Sequence, residues 1–290
     1  MTIKPVSVCP LHATLGEGPV WVARDAALWL TDIKGQRVHR FDPATSGLDS
    51  WDMPEQAGWI LPASDGSMIV GLKSGLHRFD PASGVVSELL LTEADLPDNR
   101  LNDATVSTDG TLWCGSMDDL EESETGRLYR WANGALDDAG LDPVVITNGP
   151  ALSPDERTLY HTDTLGRRIW AVPLHDDGSL GAARPFVEIE DGAGYPDGPT
   201  IDAEGHVWTG LFGGWACRRY DPAGRLVETV RFPVANVTKI AFGGADLTTA
   251  YATTARKGLD ASALADQPLA GNIFAFEPNV QGLPGQLIAI

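Results

Sequence analysis

The chain has 290 residues, of which 43% are hydrophobic, and 40 acidic against 21 basic side chains give it a net charge of −19. That balance argues against nucleic acid and anionic membranes as partners, because both would be repelled. The three cysteines, Cys9, Cys114 and Cys217, lie far apart and form no CxxC pair. They fit a reducing cytosol better than a disulfide framework or a structural zinc site. The opening residues MTIKPVSVCPLHA lack the apolar run of a signal peptide, and no stretch approaches the ~18–20 apolar residues of a membrane span. A soluble, cytoplasmic protein is expected.

In chain order, six short apolar segments recur with an aromatic residue or Ile second and a small residue fourth. They are Leu28-Trp29-Leu30-Thr31, Met68-Ile69-Val70-Gly71, Leu112-Trp113-Cys114-Gly115, Leu159-Tyr160-His161-Thr162, Val207-Trp208-Thr209-Gly210 and Ala250-Tyr251-Ala252-Thr253, with first residues 40, 44, 47, 48 and 43 apart. A second segment follows each, from Val38-His39-Arg40-Phe41 to Ile273-Phe274-Ala275-Phe276. Four of these run into Asp42-Pro43, Asp80-Pro81, Asp221-Pro222 or Glu277-Pro278, where proline, which cannot donate to a ladder, ends the strand. Asp65-Gly66, Asp109-Gly110 and Glu204-Gly205 precede first segments, as tight hairpins require. Self-similarity at this period, carried by strands, predicts an all-β fold: one six-bladed β-propeller of four-stranded antiparallel blades spanning residues 1–290. Six such blades bury enough core to need neither disulfides nor an oligomer partner.

One strand back from each first segment lie Glu17, Asn102, Asn148, Asp197 and Thr238, with Gly58-Trp59 at the matching place in the second repeat. These positions start the innermost strands, so they converge on the axis at one face of the disc. The connections Ser116 to Arg127 and Ala255 to Gly271 are long and belong on that same face, where substrate selection usually resides. The first is acidic, with Asp118, Asp119, Glu121, Glu122 and Glu124. A ring of carboxylates and carboxamides suits Ca²⁺, Mg²⁺, Mn²⁺ or Fe²⁺, with Zn²⁺ also admissible. Taken singly, Glu17 and Asp197, each beside a glycine, also fit carboxylates that accept backbone amides at turns. As a ring they point to a site.

Thr14-Leu15-Gly16-Glu17-Gly18-Pro19, Asn99-Arg100-Leu101-Asn102-Asp103, Gly115-Ser116-Met117, Thr147-Asn148-Gly149-Pro150, Tyr195-Pro196-Asp197-Gly198 and Asn236-Val237-Thr238-Lys239 with Phe242-Gly243-Gly244 occur in this order. Together they resemble the senescence-marker-protein-30/gluconolactonase family of six-bladed sugar lactonases, and most closely its bacterial xylonolactonases and arabinonolactonases. Leu101 departs from the proline common in the family. The resemblance implies hydrolysis of a pentono- or hexonolactone to the aldonic acid. It implies one divalent cation (Fe²⁺, Zn²⁺, Mn²⁺ or Ca²⁺) on Glu17, Asn148 and Asp197, with Asp197 doubling as the acid/base residue. Arg100, Asn102 and a glutamate of the acidic loop, taken as Glu121, are then expected to contact the sugar.

Two other classes compete: a non-catalytic calcium-binding propeller, and a propeller hydrolase of phosphotriesters or aryl esters. No G-x-S-x-G elbow is present, and the six histidines show no metal-ligand spacing, so serine-hydrolase and HExxH chemistry lack support. His161 alternates with core residues and reads as a hydrogen-bonded structural histidine, while His39 and His77 read as blade packing. Trp59 could form an apolar wall for a sugar face.

Overall fold

The six recurring segments are the second strands of six antiparallel four-stranded sheets. The computed structural model describes residues 3–290. Within them, helix is limited to a 3-10 turn at Ala23–Asp25 and a six-residue helix at Ala261–Asp266. The innermost strands of blades one to six are Gly16–Val22, Ala57–Pro62, Asn99–Val106, Thr147–Leu152, Tyr195–Ile201 and Val237–Gly243. Each packs against its neighbours, and the sixth returns to the first, so the ring closes.

Second strands lie between neighbouring sheets and are covered on both faces. Ala27–Asp32, Met68–Leu72 and Leu112–Asp118 are buried along their whole length. Such strands read as continuous apolar runs rather than as alternation. The bulky second residue of each repeat fills the space between two blades. Trp29, Ile69, Trp113, Tyr160, Trp208 and Tyr251 each belong to a different inter-blade cluster. Fully burying a side chain of this size contributes roughly 1.5–3 kcal/mol, so the repeat marks what holds blade to blade. Outer strands such as Gly47–Asp52 and Val85–Leu91 are largely exposed.

The Asp-Pro steps end strands as expected. The Asp42 carboxylate accepts the Ala44 amide at 2.9 Å and the Thr45 hydroxyl at 2.8 Å, and Asp80 does the same with Ala82 and Ser83. All three cysteines are free and buried. Among the described residues no helix is long and apolar enough to cross a membrane.

Two features were not legible from the repeat. The outer strand of the sixth blade is the N-terminal segment Val6–Cys9, whose Val6 stands opposite Ala275. The C-terminal segment forms no blade. It crosses the face opposite the strand starts, with Gly282 bridging to Asp202 and Ile288 to Ala63.

Candidate functional site

Every innermost strand breaks register near its start. The shifts fall between Glu17 and Val20, Ala57 and Trp59, Leu101 and Asp103, Asn148 and Ala151, Pro196 and Pro199, and Val237 and Ile240. A bulge leaves an extra residue outside the ladder and re-aims its side chain. The six equivalent positions inferred from the repeat are therefore six bulges around one axis. Their chemistry differs by blade. Gly58 is a close approach, since a Cβ there would fall 2.4 Å from the Leu101 carbonyl. Thr238 is a tie, its hydroxyl 2.6 Å from the Gly16 carbonyl and 2.8 Å from the Thr253 hydroxyl. Blades one, three, four and five supply the acids and amides.

Glu17 and Asp197 are both 6% exposed. Each spends one oxygen on the amide of its following glycine, Gly18 and Gly198, at 3.0 Å. That is the turn role either residue would have alone. The two carboxyls are close enough for the charge of Asp197 to act on Glu17. Burial pushes Asp197 up to about 7, reinforced by the charge of Asp103. Burial likewise drives Glu17 well above the carboxylate range, reinforced by Asp197 and then Asp103. Like charges held together out of water call for a proton or a cation between them.

Among the described residues no three His, Cys, Asp or Glu side chains gather as a metal cluster. An amide oxygen can complete the donor set of the two carboxylates, and Asn148 carries one. Its Nδ2 donates to Thr164 Oγ1 at 2.9 Å, and its Oδ1 accepts from Asn102 Nδ2 at 3.1 Å, which keeps a lone pair of that oxygen for a ligand. Two carboxylates and one carboxamide oxygen form a hard, all-oxygen donor set that fits a divalent cation.

Beneath these groups Lys239 of the sixth blade crosses to Asp103 of the third, and both are buried. Gly198 makes room for the lysine stem: a Cβ at that position would fall 2.6 Å from Lys239 Cδ. The other Asp103 oxygen accepts the Gly149 amide at 2.8 Å. Below the pair, a cavity of about 300 Å³ follows the axis to the C-terminal segment. Its lining includes Gly18, Asp103 and Lys239 but not Glu17, Asn148 or Asp197, so the ion pair forms the floor of the site.

Arg100 is 2% exposed. Its Nε donates to Asp119 at 2.7 Å and its Nη1 to Asn102 Oδ1 at 2.6 Å and to the Leu101 carbonyl at 3.1 Å. Asn102 passes the chain on to Asn148 and to the Thr147 carbonyl at 2.7 Å. The run Asp119–Arg100–Asn102–Asn148–Thr164 thus fixes which atom of each amide faces the pocket. Nη2 of Arg100 makes no hydrogen bond to a described residue, yet it is not among the fully enclosed polar atoms without a partner. It is the donor Arg100 retains for a ligand.

Asp119 also receives Lys34 at 2.7 Å and Gln56 at 3.0 Å. Burial alone would raise its pKa, but Lys34, Arg100 and Gln56 outweigh it and hold it at about 2. Asp119 is therefore the acid of the long loop that reaches Arg100, a role the spacing of the loop's carboxylates could not assign. Glu121 lies elsewhere. It pairs with Lys257 of the other long loop, and each side chain is about a third exposed (34% and 32%). The two loops meet over the mouth, as their placement on one face requires.

Two sequence expectations are corrected. Trp59 is 1% exposed and packs in the core between blades two and three, against Leu61, Leu101 and Leu112, so it offers no wall to a sugar. His161 is buried, and burial pushes its pKa down to about 4. Its Nδ1 has no hydrogen-bond partner, so it is a structural histidine held by packing. His39 does bond across its blade, to Ser50 at 2.7 Å.

Residues 15–256 match the model of the SMP-30/Gluconolactonase/LRE-like region. A 6-deoxy-6-sulfogluconolactonase of Pseudomonas putida is 33% identical over 96% of both chains. An L-arabinolactonase of Azospirillum brasilense is 35% identical, covering 93% of this chain and 90% of that one. The crystal structure of a calcium-binding protein, regucalcin, from Agrobacterium tumefaciens superposes with a TM-score of 0.95 at 30% identity, covering 100% of this chain and 99% of that one.

Proposed function

The chain belongs to the SMP-30/gluconolactonase/LRE-like family, and from that premise we propose that it is a sugar lactonase, a carboxylic ester hydrolase opening a pentono- or hexonolactone to the aldonic acid. Xylono- and arabinonolactone are the first substrates to try. What supports the reading is the position of Glu17, Asn148 and Asp197 at three equivalent bulges of the ring, with the Arg100–Asn102 hydrogen-bond run leading to Asn148. Glu17, Asn148 and Asp197 would hold one divalent cation, of the Fe²⁺, Zn²⁺, Mn²⁺ or Ca²⁺ class. Such a cation supplies positive charge that polarises an ester carbonyl.

The protein's own groups do the rest. Asp197 takes a proton from the attacking water as the new carbon–oxygen bond forms. It returns that proton to the ring oxygen as the ring carbon–oxygen bond breaks. Arg100 Nη2 and the Asn102 amide orient the ring hydroxyls, so that the lactone enters close to its reacting geometry. The floor pair closes the axis below and keeps the reacting plane apart from the lower cavity.

The test is proton release on a panel of pentono- and hexonolactones, with chelated enzyme resupplied with each cation in turn. Turnover restored by one cation supports the reading; no turnover with any of them overturns it. The same experiment separates a second reading, favoured by the hard oxygen donors: a calcium-holding propeller would bind the ion stoichiometrically and hydrolyse nothing.

A further inference from the structure

The lactonase reading gives no task to Lys257, although the fold holds it with care. Its amide donates to the Thr14 carbonyl at 2.8 Å, and its own carbonyl accepts Asn236 Nδ2 at 3.0 Å. Arg256 before it donates to Thr14 at 3.1 Å, and Ala255 bridges to Leu15. The backbone at Lys257 is thus fastened beside the strand that carries Glu17. The side chain reaches from there to Glu121.

Glu121 is presented just as firmly. The buried Asp118 carboxylate accepts the amides of Leu120 at 3.1 Å, Glu122 at 3.1 Å and Ser123 at 2.7 Å, wrapping the turn around itself. Rotation of two flexible side chains is enough to part the bridge, with no backbone movement. Because both groups remain partly in water, the pair is weak and readily exchanged.

We propose that Lys257 is a specificity-determining residue: beside Glu121, whose sugar contact the family resemblance already implies, it reads the hydroxylated exocyclic arm of an aldonolactone. The inference rests on the lactonase reading. A ring held by Arg100 and Asn102 at the inner wall projects its arm toward the mouth, where the bridge lies. An arm hydroxyl is both donor and acceptor, so it can accept from the ammonium and donate to the carboxylate. A lactone without an arm leaves the bridge closed and gains nothing from it.

The test compares galactono-1,4-lactone with threono-1,4-lactone, which keeps the ring and its two hydroxyls but has no arm. Lys257→Met and Glu121→Gln are each expected to lower kcat/KM about tenfold for the galactono compound, as a lost hydrogen bond to a charged group does, chiefly through KM. In the Lys257→Met variant, turnover of the threono compound should stay within about twofold. The double variant should lose little more than either single one, because both read the same arm. Equal losses on both lactones, or no loss on either, overturn this inference alone. A wild-type enzyme that opens no lactone of the pentono- and hexonolactone panel overturns the lactonase reading, and this inference with it.

Discussion

Two ion pairs join the third and sixth blades, one beneath the reacting plane and one above it. Asp103 and Lys239 are buried, and Asp103 is also bound to the Gly149 amide. Glu121 and Lys257 are each about one-third exposed. The same two blades and the same charge types therefore give opposite devices. A buried charge whose partner is removed stays uncompensated, which costs about 3–5 kcal/mol. An exposed pair is worth about 0–1 kcal/mol because water replaces either partner. The lower pair can only hold, and the upper pair can exchange.

The largest effect should come from the plane between them. Asp197→Asn is expected to lower lactone turnover about 10²–10⁴-fold while the circular dichroism spectrum stays that of a folded propeller; near-wild-type turnover would remove Asp197 from the mechanism. Next is the floor. Lys239→Met should destabilise the protein by about 3–5 kcal/mol in urea unfolding, and adding Asp103→Asn should recover part of that loss. If Lys239→Met proves neutral, the contrast between the two pairs fails.

Acidity sharpens the same contrast. Asp197 is raised to about 7 from its ordinary 3.8, and Glu17 is raised with it. Between those values the folded, chelated protein holds a proton that the unfolded chain has released, so its stability should fall as pH rises from about 4 to 7. A divalent cation should cancel the fall, and its affinity should rise across that window as it displaces the proton. Calorimetric melts with and without cation check both signs. The smallest effect belongs to the roof, where Glu121→Gln and Lys257→Met should each shift stability by less than about 1 kcal/mol.

The architecture was legible because the signal that repeats is the one that packs. The residues that recur every 40 to 48 positions fill the spaces between blades. Glu17, Asn148 and Asp197 were legible because they occupy equivalent places in that repeat without repeating its residue type. What escaped is pairing across the ring. Asp103 and Asp119 are acids among many in sequence, and only the closed ring brings Lys239 to Asp103 and Lys34 to Asp119. Trp59 was misread for a related reason. Its neighbour Gly71 leaves room for the indole to fold back onto its own blade, a Cβ there falling 2.2 Å from the ring. A position on the inner strand does not decide which way a large side chain turns.

The sixth blade borrows its outer strand from the chain's first residues, Val6 opposite Ala275. During synthesis that strand waits for a partner more than 260 residues further on, so the disc cannot close until Ile273–Phe276 has left the ribosome. The loop bearing Lys257 lies in this same late-closing blade and is fastened at Thr14 to the segment that follows the borrowed strand. Loss of the Val6–Cys9 strand would therefore bare the outer edge of the blade that carries the Lys257 loop.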